Sequence, residues 1–126
     1  MNEGLIYPDE SYRIMGACFS VYKDKRNGYT EPIYQECLAK EFLHLGIAFE
    51  EQKELPLTYR GEKLLHTFRV DFVCFDRILL EIKSVSKLTD EHRAQVLNYL
   101  HASGLKLALL VNFGHYPQIE YERIVL

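Results

Sequence analysis

Three cysteines in 126 residues, Cys18, Cys37 and Cys74, are too few and too scattered for a disulfide framework, and without a CxxC pair they offer no thiolate zinc site. They read as small core residues. Nor do the five histidines, His44, His66, His92, His101 and His115, show the i, i+4 pairing of a helical zinc site. No apolar run approaches the roughly 20 residues that span a bilayer, and the opening "MNEGLIYPDE" lacks the basic and apolar regions of a secretory leader, so a cytoplasmic location is expected. Repeats, low-complexity tracts and Pro/Gly/Ser-rich linkers are missing as well, which points to one continuous domain over 1–126. A basic excess is also missing. The net charge of −3 argues against indiscriminate binding to polyanions while leaving room for a local basic groove.

What the chain does contain, 48% hydrophobic and 26% charged residues, suits a soluble globular fold. In "PDESYRIMGACFSVY", Ile14, Cys18, Val21 and Tyr22 recur at helical spacing behind Pro8, predicting a helix over about 8 to 24. After the charged loop "KDKRNG", the segment "TEPIYQECLAKEFLHLG" predicts a second helix over about 30 to 45. Its expected N-cap is Thr30, its stop is Gly46, and its apolar stripe is Tyr34, Cys37, Leu38, Phe42 and Leu45. Beyond Gly46 the pattern turns to β-formers. "IAFEEQKELPLTYR", "KLLHTFRVDFVCF" and "ILLEIKSV", broken at Arg60-Gly61 and Asp76-Arg77, read as an antiparallel meander. "LTDEHRAQVLNYLHASG" predicts a helix over about 90 to 102 with Thr89 as N-cap and Gly104 as terminator. "LKLALLVNF" has the continuous apolar character of a strand covered on both faces, and "YERIVL" reads as a short last strand. The expected order is ααβββαββ, an α/β fold with a mixed central sheet flanked by helices.

Within the meander, "RVDFVCFDRILLEIKSV" places Asp71, Glu81 and Lys83 among strand-forming apolar residues, where an ionised group is costly unless paired or bound to a metal. Side chains two apart on a strand share a face, so Glu81 and Lys83 stand together while Ile78, Leu80 and Ile82 point the other way. A hairpin turning near Asp76 and Arg77 sets 71 and 81 at similar heights. Two anions brought together repel unless a cation lies between them, and hard oxygen ligands suit Mg²⁺ or Mn²⁺. An ordinary ion pair on the sheet, with Asp71 neutralised by Arg69 or another neighbour, accounts for the same three residues.

Two helices carry further polar residues. His92, Gln95 and Tyr99 fall at i, i+3 and i+7 of the third helix, a stripe that could orient a water or a phosphate beside the sheet; a solvated amide and a half-buried tyrosine are the plainer reading. Glu31 precedes Tyr34 and Leu38 by three and seven, at the start of the inward stripe of the second helix. It is either a partner for the helix dipole or a further metal ligand.

Together these residues resemble a known motif set. Asp71, Glu81 and Lys83 match the D…ExK core of the PD-(D/E)XK nuclease superfamily, and Gln95 with Tyr99 match the QxxxY extension of its exonuclease-like branch. "GYTEPIY", with Gly28, Glu31 and Tyr34, is similar to the pattern that names the small GxxExxY protein family placed in that superfamily. The likeness runs through "MGACFSVYK", "YQECLAKEF", "HTFRVDFV", "LNYLHASGLKLALLVNFG" and "RIVL". Val70 stands where the superfamily name has proline, and "KDKRNGYTEP" is a more charged entry to Glu31 than the family's usual one.

The resemblance implies a restriction-endonuclease-like core and Mg²⁺-dependent hydrolysis of phosphodiesters in DNA or RNA. Asp71, Glu81, the backbone carbonyl of Ile82 and Glu31 are the implied holders of Mg²⁺ or Mn²⁺. Lys83 would orient the attacking water or stabilise the phosphorane, Gln95 would position water or phosphate, and Tyr99 would support it. Cutting both strands of a duplex would call for a homodimer. The contrasting reading is a non-catalytic binding or assembly module that keeps the fold; the net negative charge favours it, and retention of every charged motif residue favours the enzyme. Lys23, Lys25, Arg26, Lys87 and Arg93 are the basic groups available to follow a nucleic-acid backbone, and equally suit a solvated surface.

Overall fold

The computed structural model describes residues 5–126. Two helices come first, α1 (Pro8–Lys25) and α2 (Glu31–Leu45), followed by the meander β1 (Phe49–Tyr59), β2 (Glu62–Cys74) and β3 (Ile78–Lys83). Helix α3 (Asp90–Ser103) then crosses to β4 (Leu107–Asn112), and β5 (Glu120–Val125) closes the order. The five strands lie side by side in chain order, antiparallel except for the parallel pair β3–β4. That exception follows from the connection: parallel neighbours require a long crossover, which α3 supplies.

The centre of the sheet is covered on both faces. Ile14, Cys18, Leu38 and Phe42 of α1 and α2 pack on Phe72, Leu80, Ile82 and Leu109. On the opposite face Val96 and Leu100 of α3 pack on Val70, Leu79, Ala108 and Leu110. All six residues of β4 are buried, which explains the apolar run from Leu107 to Val111. Cys18 and Cys74 are buried free thiols and Cys37 is partly buried, as small core residues should be. Among the described residues no helix is long and apolar enough to cross a membrane.

Several local expectations differ in detail. Thr30 occupies the N-cap of α2 without a side-chain hydrogen bond, whereas Thr89 forms a full capping box in which His92 returns the bond to the Thr89 N–H at 3.0 Å. His92 is thereby engaged by the helix end and is not part of a polar stripe towards the sheet. Leu45 is 41% exposed, so the buried stripe of α2 ends at Phe42. The β2–β3 turn centres one residue earlier than expected, on Phe75 (φ 57°) and Asp76 (φ 56°), with Arg77 N–H donating to Cys74 O at 3.0 Å. Positive φ at a phenylalanine is uncommon, and here the ring is held against the core beneath α1 and α2.

One glycine is required by space. A Cβ on Gly114 would lie 2.4 Å from the backbone nitrogen of Val85, so the loop leaving β3 can pass only over a residue without a side chain. Asn112 completes that fastening. Its Oδ1 accepts from Val85 N–H and Gly114 N–H, both at 3.0 Å, and its Nδ2 donates to Glu120. The connection from β3 to α3 is thus tied to the end of β4, next to the charged end of β3.

Candidate active site

At the end of the β2–β3 hairpin the two strands stop pairing backbone to backbone. Their register runs Cys74↔Ile78, Val73↔Leu79, Phe72↔Leu80, and one further step sets Asp71 opposite Glu81. There the side chains take over the ladder. Glu81 Oε1 accepts from Asp71 N–H at 2.8 Å, and Asp71 Oδ2 accepts from Ile82 N–H at 2.8 Å. Each carboxylate satisfies an amide that the separating strands would otherwise leave bare. The interleaved arrangement also fixes both groups in place.

The neighbouring backbone is irregular in a matching way. Val70 packs beneath α3, but Phe72 packs beneath α1 and α2, so β2 changes its facing across Asp71. Opposite it, Gln52 takes φ 49° while the β1–β2 register continues unshifted on either side. A non-glycine residue in that region costs on the order of 1–3 kcal/mol and persists only where its surroundings enforce it. Gln52 Nε2 donates to Asp71 Oδ1 at 3.4 Å, and Gln35 Nε2 donates to the Asp71 carbonyl at 3.3 Å and to Glu51 Oε2 at 3.0 Å. Gln35 and Gln52 therefore steady Asp71, yet neither was singled out by sequence. The only available signal was their placement: Gln35 follows Tyr34 on the inward side of α2, and Gln52 faces position 71 once the β1–β2 register is known.

Burial sets the electrostatics. Glu81 is 4% exposed. Its pKa is pushed up to about 8, first by burial and then by the Asp71 charge, against the opposing pull of the Asp71 amide and Lys83. Asp71 is raised as well, mainly by burial and in part by Glu31, with the Ile82 amide, Lys83 and Gln52 opposing. Two acids buried side by side resist ionising together, and a cation between them would relieve that cost.

Lys83 does not neutralise them by direct contact. Its Nζ donates to Gln95 Oε1 at 3.0 Å, and among the described residues no ion pair within 4.0 Å joins it to Glu81 or Asp71. Arg69 pairs with Glu54 at 3.7 Å, so Asp71 lacks that partner too. Tyr99 stacks on Phe68 with ring centroids 4.3 Å apart. Burial, followed by the charges of Glu81 and Asp71, pushes its hydroxyl up to about 12. The structure thus gathers Asp71, Glu81, Lys83, Gln95 and Tyr99 at one end of the sheet, with the α3 residues on the side of Lys83.

Glu31 stands differently. It is exposed, because the first turn of α2 extends beyond the packed core, and it lines the same cavity of about 900 Å³ as Asp71. The loop before it is anchored by Tyr34, whose hydroxyl donates to Arg26 O and accepts from Tyr29 N–H at 3.3 Å, while Gly28 turns the chain at φ 116°. The Gly28, Glu31 and Tyr34 spacing thus has a local cause: a turn, an acid on the cavity wall and an anchor. Of the basic residues noted in the sequence, Arg93 is committed to Glu122 at 2.6 Å and Lys25 to Asp24 at 3.1 Å.

A cation fits the donor set. Among the described residues Glu81 Oε2 takes no hydrogen bond and Asp71 Oδ1 takes only the long one from Gln52, leaving two hard oxygens available. Among the described residues no three His, Cys, Asp or Glu side chains cluster as a ready-made cage. The structure therefore does not gather Glu31 with Asp71 and Glu81 into one ligand set.

Comparison with known proteins agrees with this architecture. The family model described as PD-(D/E)XK nuclease superfamily matches residues 8–124. No curated protein matches the chain. Among solved structures, the crystal structure of SSO0001 is similar at a TM-score of 0.59 with 18% identity, covering 75% of this chain and 49% of that one. The present chain therefore spans about half the length of SSO0001. An alkaline exonuclease, LHK-Exo from Laribacter hongkongensis, matches at a TM-score of 0.44 with 15% identity, covering 99% of this chain and 72% of that one.

Proposed function

The chain belongs to the PD-(D/E)XK nuclease superfamily, and from that premise we propose that it is a Mg²⁺- or Mn²⁺-dependent nuclease of the GxxExxY type, acting on phosphodiesters of DNA or RNA. Its mixed sheet with helices on both faces is the restriction-endonuclease-like α/β core. Members of the superfamily generally use divalent metals. In this reading residues 1–126 contribute one nuclease domain, with Asp71, Glu81 and the Ile82 carbonyl holding the cation and Glu31, on the cavity wall, reaching it through water or by a shift of its exposed side chain. One observation carries the proposal: Asp71 and Glu81 are locked face to face by each other's strand amides, both resist ionisation, and among the described residues no basic side chain forms an ion pair with either.

The chemistry that a bound divalent cation supplies is Lewis-acid activation of water and screening of phosphate charge. The chain's own groups do the positioning. Asp71 is held by Gln52 and Gln35, and its Oδ1, engaged only by the long bond from Gln52, is the oxygen left for a cation. Lys83, fixed by Gln95 at 3.0 Å, keeps its ammonium beside the acids without being consumed by them, ready to donate to a phosphate oxygen as charge develops there. Tyr99 backs that pair from the stacked position on Phe68.

The contrasting reading, a nuclease-fold binding module, draws on the acidic character of the cavity, where four of the five charged lining residues are Glu or Asp. An assay separates the two. Mixed single- and double-stranded DNA and RNA incubated with Mg²⁺ or Mn²⁺ should be cut by the wild type and not by Lys83→Ala. Equal cleavage by both would assign the activity to a contaminant and leave the binding module.

A further inference from the structure

The cavity beside Asp71 is lopsided in charge. Glu31, Glu36, Glu51 and Asp71 line it against one lysine, Lys40. A phosphate backbone running along its length would meet like charge at most steps, and a duplex would bring two such backbones. One phosphodiester can still be drawn to Asp71 by a cation, with the neutral base beside it filling the space. At about 900 Å³ the cavity lies within the ~300–1,000 Å³ of sites for small organic groups.

Tyr29 forms part of that wall and is 48% exposed. An isolated exposed aromatic needs no explanation. This one is held at its backbone and along one side of its ring. Its N–H donates to Tyr34 Oη at 3.3 Å, its carbonyl accepts from Ser84 Oγ, and its ring meets Tyr34 edge to face at 6.1 Å and 83°. Tyr34 in turn stacks on Phe113 at 4.6 Å, in the core. A ring on a tied backbone, resting against a neighbour stacked in the core, has less freedom to lose on meeting a ligand than an unsupported one.

Resting on the nuclease reading, we infer that Tyr29 is a stacking platform for an unpaired nucleobase next to the phosphodiester presented to Asp71 and Glu81. The substrate class is therefore single-stranded nucleic acid, or the unpaired end of a duplex. Only an unpaired base has a free face to offer the tyrosine; a base within a duplex is already covered by its neighbours. Tyr29 is thus a specificity-determining residue for the proposed reaction.

The test uses DNA and RNA strands with slowly cleaved phosphorothioate linkages and 2-aminopurine as the reporting base, titrated in Mn²⁺ as single strands and as duplexes. Single strands should bind at least about 10-fold more tightly than duplexes, with fluorescence quenched by stacking. Tyr29→Ala should lose about 10-fold or more in affinity together with the quench, while Tyr29→Phe keeps both. Replacing the reporting base by an abasic site makes the same deletion on the ligand, without any change to the protein, and should bring the wild type down to Tyr29→Ala. Unaltered binding and quenching in Tyr29→Ala, or a preference for duplex, would overturn the platform while leaving the nuclease reading intact. Failure of every strand to bind or be cut would remove both.

Discussion

Removing the charge of Glu81 without removing its shape should stabilise the metal-free protein at high pH. The folded-state pKa of about 8 lies above the ordinary 4.5, so between those values the folded chain holds a proton that the unfolded chain has released. Stability therefore falls as pH climbs through that window, and the penalty is complete above it. A rise from 4.5 to about 8 corresponds to on the order of 5 kcal/mol. In Glu81→Gln the side-chain oxygen can still accept from Asp71 N–H, but the new amide N–H groups need partners, which costs about 1–3 kcal/mol where one goes unmet. The net expectation at pH 9 is a stabilisation of about 2–4 kcal/mol, or roughly 6–15 °C in Tm for a chain of this size. At pH 5 the folded wild-type carboxyl is already neutral, so little of the charge penalty is left to relieve while the amide cost remains, and the variant should range from equal to about 2 kcal/mol less stable than the wild type. Thermal or urea unfolding of EDTA-treated protein at both pH values measures this directly. A gap equal at pH 5 and pH 9, or a variant less stable than the wild type at pH 9, would refute the picture of two acids held together at an electrostatic cost.

Other sites give independent checks. Tyr34→Phe removes the hydroxyl that holds Arg26 O and Tyr29 N–H, so it should cost about 1–2 kcal/mol and speed hydrogen exchange at the Tyr29 amide; unchanged exchange would contradict the anchoring role. Gly114→Ala places a methyl 2.4 Å from Val85 N, and the forced shift should destabilise by about 1–3 kcal/mol or more in a denaturant melt, where a neutral result would show that the loop has room to yield. For Glu31→Gln, a residue acting only on the helix dipole would cost about 0.3–1 kcal/mol and leave the metal response alone. As a cavity ligand, Glu31 should instead leave the metal-free variant equally or more stable and reduce the Tm rise on adding Mn²⁺; an undiminished rise would exclude it as a ligand.

The sequence was most legible where one physical signal dominates. The change from helical to alternating spacing at Gly46, and back at Thr89, located all three helices and the meander, because both elements bury one continuous apolar face. The opposition of Asp71 and Glu81 was readable for a related reason: a short hairpin propagates its register, and the turn lies only a few residues away. The placing of Gln35, Gln52 and His92 was not. Each makes a contact decided by backbone geometry that spacing does not encode, namely the left-handed Gln52, the altered facing of β2 at Asp71, and the capping box at Thr89. Glu31 shares the angular position of Tyr34 and Leu38, yet it is exposed because periodicity gives direction around a helix and not where the packed core ends.

The central claim is that Asp71 and Glu81 form a cation site, and calorimetric titration of Mn²⁺ into metal-free protein at pH 8 tests it most directly. The wild type should bind one or two ions per chain, and both Asp71→Ala and Glu81→Gln should lose that binding or weaken it by at least about 10-fold. Identical stoichiometry and affinity in wild type and both variants would contradict the account, and would leave the two carboxylates as acceptors for the strand amides alone.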